Sequence, residues 1–547
     1  MSHRTDRERG DTLILVLIAV LLITLIPVGL VAASIGQLPQ TKGHQQEEAA
    51  LAAARAGVSN YENLLDQYST EQLGNYWQYD ASNLPPVTNQ ALTGWEQVEG
   101  SRSEYFHYSV DNTLTPETGL VTVTVTGAAA AGIYTQYATL KVAFRSQSFL
   151  NYLDFTNQMT LDPSLAVHAA QIPNHDAEQE CNYPFSASNG GAGNPPNGPV
   201  LPYCQGLLNF YTTGQTFNGP LFSNDIYYIA GQPIFNGPVY SASSLTSGYP
   251  QHPYWIDPIN AYLGGDSYDD PIFNVGSNVQ YHAPLNLPQS DEALQQIAQD
   301  GGCLYVGPTQ VTLNGTTMTV ISPQTKDSTC VGTDIPLPAN GVLYVASNPE
   351  VQSGTCASGY LDIEQQDAPC QQGNLYIQGT LDGQLTAGSA NDITITGNLE
   401  YGGCARPGTS DVLGLIANNF VQLTNDFTQT NTTADTCYSY PSNDPVIQAA
   451  ILALQHSFVV KDFWKLPYEG TIYFTGAMTG YYADIEGVFE ILNGSPTIIH
   501  GYGTDYSYDT RLAYLEPPYF LSPTASTWYV LHQVQVDTPS GLPALTS

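Results

Sequence analysis

Charge is what this sequence has least of. Only 11% of its 547 residues are Asp, Glu, Lys or Arg, against about 25% in an ordinary soluble protein. The shortage falls hardest on cations, with 13 Lys plus Arg facing 49 Asp plus Glu and a formal charge of −36. No stretch gathers enough Lys or Arg to offset that field, so the surface repels phosphates and nucleic acid is excluded as a partner. Catalytic signatures are missing as well. There is no GxSxG, HExxH, P-loop or CxxC, and the 10 His are scattered, so the common nucleophilic, phosphate-binding and zinc chemistries have no anchor. The low charge does not come from low hydrophobicity: 42% of residues are apolar and 37 are Tyr. Thr, Asn, Gln, Ser and Tyr have taken the place of ions, a composition that suits an extracellular β-rich protein. Aromatic residues at 11% provide the buryable surface that long disordered chains lack. A length of 547 residues predicts two to four folding units at roughly 150 residues each.

The one long hydrophobic run sets the compartment. Thr12 to Ala33 carries no charge and is long enough, as a helix, to cross the roughly 30 Å hydrocarbon core. Arg4, Arg7 and Arg9 precede it and the next basic residue is Lys42. The positive-inside rule therefore keeps the short tail cytoplasmic and exports everything after Ser34. The alternative is a secretory signal peptide cut after Val31-Ala32-Ala33. Pro27 predicts a kink within the span. Beyond it, Ala50, Ala53, Ala54, Gly57, Val58, Tyr61, Leu64, Leu65 and Tyr68 recur at three- and four-residue intervals, the pattern of an amphipathic helix. Gly36, Pro39 and Gly43 predict a break between the two halves.

Arg9-Gly10-Asp11-Thr12-Leu13-Ile14, the apolar run and Gln46-Glu47-Glu48-Ala49-Ala50-Leu51-Ala52-Ala53-Ala54-Arg55-Ala56-Gly57-Val58 together resemble the amino-terminal region of PilX-type minor pilins. The resemblance implies cleavage on the cytoplasmic face after Gly10, with Asp11 as the first mature residue. Two positions depart from that family's pattern. Asp11 stands where an aromatic is usual, and Leu15 replaces the Glu thought to pair with a neighbour's amino terminus during filament assembly.

Most of the rest reads as strand. Tyr105–Val110, Leu120–Thr126 and Ala138–Phe144 are β-branched or aromatic, with DNTLTPETG and TGAAAAG read as turns between them. With the helix they predict a small pilin-like α+β unit ending near residue 148. The body that follows is repetitive: Phe217-Asn218-Gly219-Pro220-Leu221 returns as Phe235-Asn236-Gly237-Pro238-Val239, and Gly379-Thr380-Leu381 as Gly397-Asn398-Leu399. A common offset in two separate stretches predicts a coil of fixed length, a parallel β-helix whose handedness the sequence leaves open. The alternative is a β-sandwich with chance duplicates. Asn and Gly at rung corners are explained by left-handed backbone, without a ligand. Val412–Ile416, Ala450–Leu454, Phe458–Val460 and Ile472–Phe474 read as later rungs. Ser290 is placed to cap a helix over DEALQQIAQ, with Gly301 just beyond its end.

All eight cysteines follow the apolar run, and an even count outside a membrane reads as disulfides. Sequential pairing is expected: Cys181 with Cys204, Cys303 with Cys330, Cys356 with Cys370, and Cys404 with Cys437. The body from NGPLFSNDIYYIAGQPIFNGPV (218–239) to DTRLAYLEPPYFL (509–521) resembles the exported portion of actinobacterial proteins that begin with the PilX-like segment. That resemblance implies a surface or pilus-related role and names no activity.

Parallel β-helices often host polysaccharide lyases and hydrolases, so an enzyme is the rival reading. A lyase needs a basic residue, and after residue 150 there are only Lys326, Arg406, Lys461, Lys465 and Arg511. A hydrolase needs paired carboxylates; Asp266, Asp269 and Asp270, or Asp505 and Asp509, are candidates, and these also read as solvated or calcium-holding loops. His456, on an apolar stretch, reads as a satisfied core or rung-edge histidine. Tyr227-Tyr228 and Tyr481-Tyr482 read either as sugar-stacking platforms or as stacks internal to the β-helix.

The expected architecture is mainly β with an N-terminal transmembrane, pilin-like α-helix. It comprises a cytoplasmic leader (1–10), the helix (11–75), a strand-rich collar (76–148), a disulfide-bearing parallel β-helix exodomain (149–520) and a C-terminal tail (521–547). The expected role is that of a single-pass, membrane-anchored structural or adhesive surface protein, minor-pilin-like or pilus-associated. Its partners would be the membrane, pilins or other surface proteins, and glycans. It calls for no catalytic residue and no cofactor, calcium being the one alternative. The rival readings are a β-helix carbohydrate-active enzyme and a plain surface anchor unrelated to pili.

Overall fold

The computed structural model describes residues 43–67, 76–85, 88–113, 115, 120–131, 134–165, 209, 211–243, 255–256, 270–322, 324–325, 327–350, 370–424, 427, 444–492, 495–524 and 527–545. Gly10, Asp11, Leu15 and the apolar run at 12–33 lie outside them, as do Cys181, Cys204, Cys356, Cys437, Asp266, Asp269 and Lys326. Among the described residues no helix is long and apolar enough to cross a membrane. The fold is mainly β. The chain divides into two units, one from residues 1–113, 120–145 and 528–547, the other from 114–119 and 146–527.

In the first unit a helix covers residues 43–67. Its buried stripe is Ala50, Ala53, Ala54, Val58, Tyr61 and Leu65, the three- and four-residue spacing that puts side chains on one face. The stripe shares a core with a five-stranded sheet ordered Glu96–Gln97, Glu104–Asp111, Leu120–Ala131, Tyr134–Ser146 and Trp528–Val536. The first four of these strands are antiparallel. The expected turn at TGAAAAG is instead the continuation of a strand that runs to Ala131. Small residues are needed there because the helix lies directly over them: a Cβ on Gly127 would sit 2.0 Å from the Ala50 carbonyl oxygen, and Ala129 and Ala138 pack with Ala50. Alanine was read as a turn signal where it is a clearance signal. The expected tail from residue 521 is also corrected, since Trp528–Val536 returns to form the outer strand beside Tyr134–Ser146. The Asp66 carboxylate, which accepts the Trp528 N–H, and the Pro543 carbonyl, which accepts the Trp95 indole N–H at 2.8 Å, hold this returning segment.

The second unit is thus an insertion between two strands of the first. Its strands pair mostly in parallel, the exceptions being the antiparallel Thr309–Gly315, Thr317–Ile321, Gly332–Pro336 run and the Gly487–Leu492, Ser495–Tyr508 hairpin. One ladder runs Cys303–Val306, Val342–Ala346, Gln384–Ser389, Val412–Ala417, then the C-terminal parts of Val446–Ala453 and Tyr468–Tyr482. It continues, out of chain order, through Asp154–Gln158, Leu221–Ser223, Val239–Ser241 and Gln280–Tyr281. A second ladder runs Thr309–Gly315, Leu375–Leu381, Ile393–Tyr401, the N-terminal parts of Val446–Ala453 and Tyr468–Tyr482, and Ser495–Tyr508. It too then jumps back, to Thr216–Asn218, Ile234–Phe235 and Ile272–Phe273. The chain therefore enters mid-ladder at Asp154 and winds to the Gln280–Tyr281 end. It crosses through residues 282–302 to the opposite end and winds back until Met478 meets Asp154.

Several strands of the first ladder are buried on both faces, so they read as unbroken apolar runs. In Val412–Ala417, for example, Leu413, Leu415 and Ala417 join one core while Val412 and Ile416 join another. The helix Glu292–Gln299 contributes Leu294 and Ala298 to the second core. Its N-cap is Asp291 and not the expected Ser290. The Asp291 side chain makes no cap bond and accepts from the Tyr344 hydroxyl at 2.8 Å instead.

The FNGP repeat is a true register: Phe217 pairs with Phe235, which pairs with Phe273, and the three rings stack at 5.6 and 5.1 Å. In the downstream repeat Leu375–Ile377 pairs with Ile393–Ile395, but a bulge then sets Gly379 opposite Leu399 and not opposite Gly397. The left-handed reading of the corners holds for several glycines, Gly231, Gly315 and Gly379 among them, but not for the asparagines. Of the described residues only Asp334, Cys404, Asp462 and Tyr519 combine a side chain with positive φ. The asparagines form ladders: Asn274 donates to Asn236 and Asn236 to Asn218 at 2.6 and 2.7 Å. Asn419 likewise donates to Asn391 and Asn391 to Asn374, at 2.5 and 2.6 Å. Gly237 is required by closeness, because a Cβ there would lie 2.1 Å from the Gly219 carbonyl oxygen. Cys303 and Cys330 are joined as expected. Cys370 and Cys404 are also disulfide-bonded, to partners outside the described residues.

Candidate binding cavity

The second unit holds a cavity of about 530 Å³ where its first and last strands meet. One wall is Asp484-Ile485-Glu486-Gly487, between the Tyr468–Tyr482 strand and the antiparallel hairpin of Gly487–Leu492 with Ser495–Tyr508. Ile485 is pinned by two backbone bonds, its N–H to the Phe458 carbonyl at 3.1 Å and its carbonyl accepting from Val460 at 3.0 Å. Extended backbone sends residues i and i+2 the same way, so Asp484 and Glu486 both line the cavity. The opposite wall comes from residues 209–217, tied on by the Asn209 side-chain amide donating to the Asp484 carbonyl at 2.8 Å.

Three carboxyls collect here without a cation. Asp484 lies within hydrogen-bonding reach of Glu486, and the Tyr506 hydroxyl donates to Glu486. Asp154, buried beside them, accepts from the Tyr211 hydroxyl at 2.9 Å and from Thr156 at 3.4 Å. Two carboxyls cannot hydrogen-bond one another unless one holds a proton. No Lys or Arg lines the cavity, so a proton is the neutralising charge. Burial pushes Glu486 well above the usual carboxylate range and the Asp484 charge adds to this; burial raises Asp484 itself as well. Asp154 is pushed well up by burial and then by Asp484. The neutralising proton is spent between Asp484 and Glu486, so the pair offers the cavity its remaining acceptor lone pairs. A glycoside hydrolase needs its two carboxyls roughly 5–9.5 Å apart, whereas Asp484 and Glu486 are within reach of each other, so this pair suits binding hydroxyls.

Aromatic rings complete the lining. Tyr211, Phe217, Tyr502 and Tyr506 are buried, whereas Tyr468 is 53% exposed. The register shifts between Tyr468 and Gly470, where Gly470 has φ 125°. Such a bulge re-aims the neighbouring side chain.

Of the carboxylates singled out in the sequence, Asp266 and Asp269 lie outside the described residues, and Asp270, Asp505 and Asp509 do not line this cavity. Asp270 and Asp505 are exposed. Asp509 is consumed by buried Arg511, which donates to it at 3.0 and 2.6 Å and also to Thr409 and to the Asp411 carbonyl. That ion pair removes Arg511 from the basic candidates, and Lys465 is paired with Asp462 at 2.7 Å. His456 is satisfied: its Nδ1 meets Asp162 at 2.7 Å and its ring stacks on Phe420 at 4.3 Å. Tyr227, Tyr228 and Tyr482 are buried and cannot be sugar platforms. Among the described residues no group of His, Cys, Asp and Glu has the geometry to hold a metal ion. Sequence reasoning missed Asp484 and Glu486, whose only signal was a pair of acids flanking one apolar residue in an extended stretch.

No family model matches the chain, and no curated protein matches it. Among solved structures, the competence-associated pilin ComZ from Thermus thermophilus aligns with 90% of this chain and 97% of its own at 12% identity. Its TM-score of 0.26 is too low to carry an argument about fold or role.

Proposed function

We propose that the chain is a membrane-anchored, surface-displayed structural or adhesive protein, pilin-like in its first unit and a parallel β-helix in its second. The observation that carries this reading is the helix at residues 43–67, which follows the apolar run at 12–33 and lays a small-residue face over an antiparallel sheet. An apolar segment leading into such a helix is the design of an anchor that carries a folded head. The β-helix is supported by the parallel ladders, the 18-residue offset of Asn218 and Asn236, and the stacked Asn and Phe side chains, which are the contacts equivalent rungs make. The product is a non-enzymatic subunit of the cell surface, pilus-associated where cleavage after Gly10 frees Asp11 as the amino terminus.

Amino-terminal sequencing and intact mass of the protein from its native membranes test this. A start at Asp11 supports prepilin-type processing and directs attention to filaments. A start at Met1 or Ser2 keeps the anchor and removes the pilus. A start near Ser34 means release from the membrane and refutes anchoring.

A further inference from the structure

The cavity has a size and a lining that together select a ligand class. Its volume of about 530 Å³ falls in the range of small-molecule sites. Anionic ligands are excluded, because no Lys or Arg lines it and the chain carries a charge of −36. An aliphatic ligand would cover the polar side chains of Asp484, Glu486 and Asn209 without offering them a hydrogen bond. A metal ion lacks a ligand set of suitable geometry among the described residues. A neutral polyol meets every feature. Its hydroxyls can donate to the lone pairs that the carboxyl pair leaves free, and the C–H face of a sugar ring packs on an aromatic plane. Tyr468 supplies that plane, being the one lining ring that stays largely exposed.

We propose that this cavity binds a neutral saccharide unit, its hydroxyls held by Asp484 and Glu486 and its ring stacked on Tyr468. The inference rests on the second unit alone and stands or falls independently of anchoring. The test is calorimetry on the full-length chain in detergent micelles, titrated with neutral trisaccharides of gluco, manno and galacto configuration, with trigalacturonate, and with calcium chloride. Saturable binding of a neutral trisaccharide is expected, with trigalacturonate excluded. Tyr468→Ala should weaken that binding roughly three- to tenfold, the worth of one aromatic contact. Tyr514→Ala should leave it unchanged, since Tyr514 is 50% exposed and outside the cavity. Both positions are exposed, so neither variant threatens folding; Glu486→Gln, checked by circular dichroism, should also weaken binding. Preference for trigalacturonate, calcium binding without saccharide binding, or binding indifferent to Tyr468→Ala would each overturn the proposal.

Discussion

Asp291 offers a pH test of the second unit. Its carboxyl is buried against the helix Glu292–Gln299, accepts from Tyr344, and leaves Oδ2 without a partner. Burial raises its titration from the ordinary 3.8 to about 7, against the opposing hydrogen bond from Tyr344. That displacement makes ionisation in the fold cost roughly 4 kcal/mol more than in the unfolded chain. Between pH 4 and 7 the folded chain holds a proton that the unfolded chain has released, so the contribution is favourable in acid and is lost as pH rises. In Asp291→Asn nothing titrates at this position. The variant's stability relative to wild type should therefore climb by roughly 4 kcal/mol from pH 4 to pH 8, whatever constant offset its amide contacts introduce. Urea unfolding at fixed pH values, followed by intrinsic fluorescence, reads the difference. A gap between variant and wild type that stays flat across this range would refute the argument, because no other group is changed.

Other expectations follow from packing. Gly127→Val should separate the 43–67 helix from its sheet at a cost above the usual 1–3 kcal/mol of overpacking, since the nearest atoms are backbone; limited proteolysis of the helix reports it. Replacing both Cys303 and Cys330 by Ser, which opens a 27-residue separation, should destabilise by about 3–4 kcal/mol on the chain-entropy model, measured by urea unfolding of the double variant against wild type without reductant. Asn391→Ala breaks the middle of a part-buried ladder and should cost about 1–3 kcal/mol, while the exposed Asn236→Ala should cost less than about 1 kcal/mol. Equal losses in the two variants would show that burial does not set the worth of these ladders.

Periodicity made the helix legible. Ala50, Ala53, Ala54, Val58, Tyr61 and Leu65 are buried where the three- and four-residue spacing put them. The same logic failed at Ala128–Ala131, because alanine is neutral between turn and strand until something must approach it closely. FNGP was legible since adjacent repeats pair directly, Phe217 on Phe235. The second repeat was half legible, as a bulge after Ile377 moves the register without changing the sequence offset upstream. Parallel pairing left its mark in strands such as Val412–Ala417, apolar at every position, although nothing in such a run tells which strand lies beside it. Asp270 and Asp505 stay exposed, where carboxylates are cheapest to keep in water, and Asp509 is held by Arg511, so acidic residues read from the sequence carried little information about this cavity.

The cavity was hidden for a topological reason. Asp154 belongs to the first strand of the inserted unit, Tyr211 to the connection after it, and Asp484, Glu486 and Tyr506 to the last turns of chain before it leaves. These residues come together only because the ladder is closed out of chain order, Met478 to Tyr482 taking Asp154 to Gln158 as neighbours. Closing that seam joins strands separated by most of the unit, the most non-local pairing in its fold and the one whose loop entropy must be met before contacts repay it. The carboxyls add a further cost, since each must be protonated or hydrogen-bonded to enter. A seam built only for stability would place Leu or Val there, as other strands of the ladder do with Leu415, Ile451 and Leu385. Three carboxyls and two hydrogen-bonding tyrosines beside a cavity at this seam oppose stability, and the proposed saccharide site gives them a role that packing alone does not.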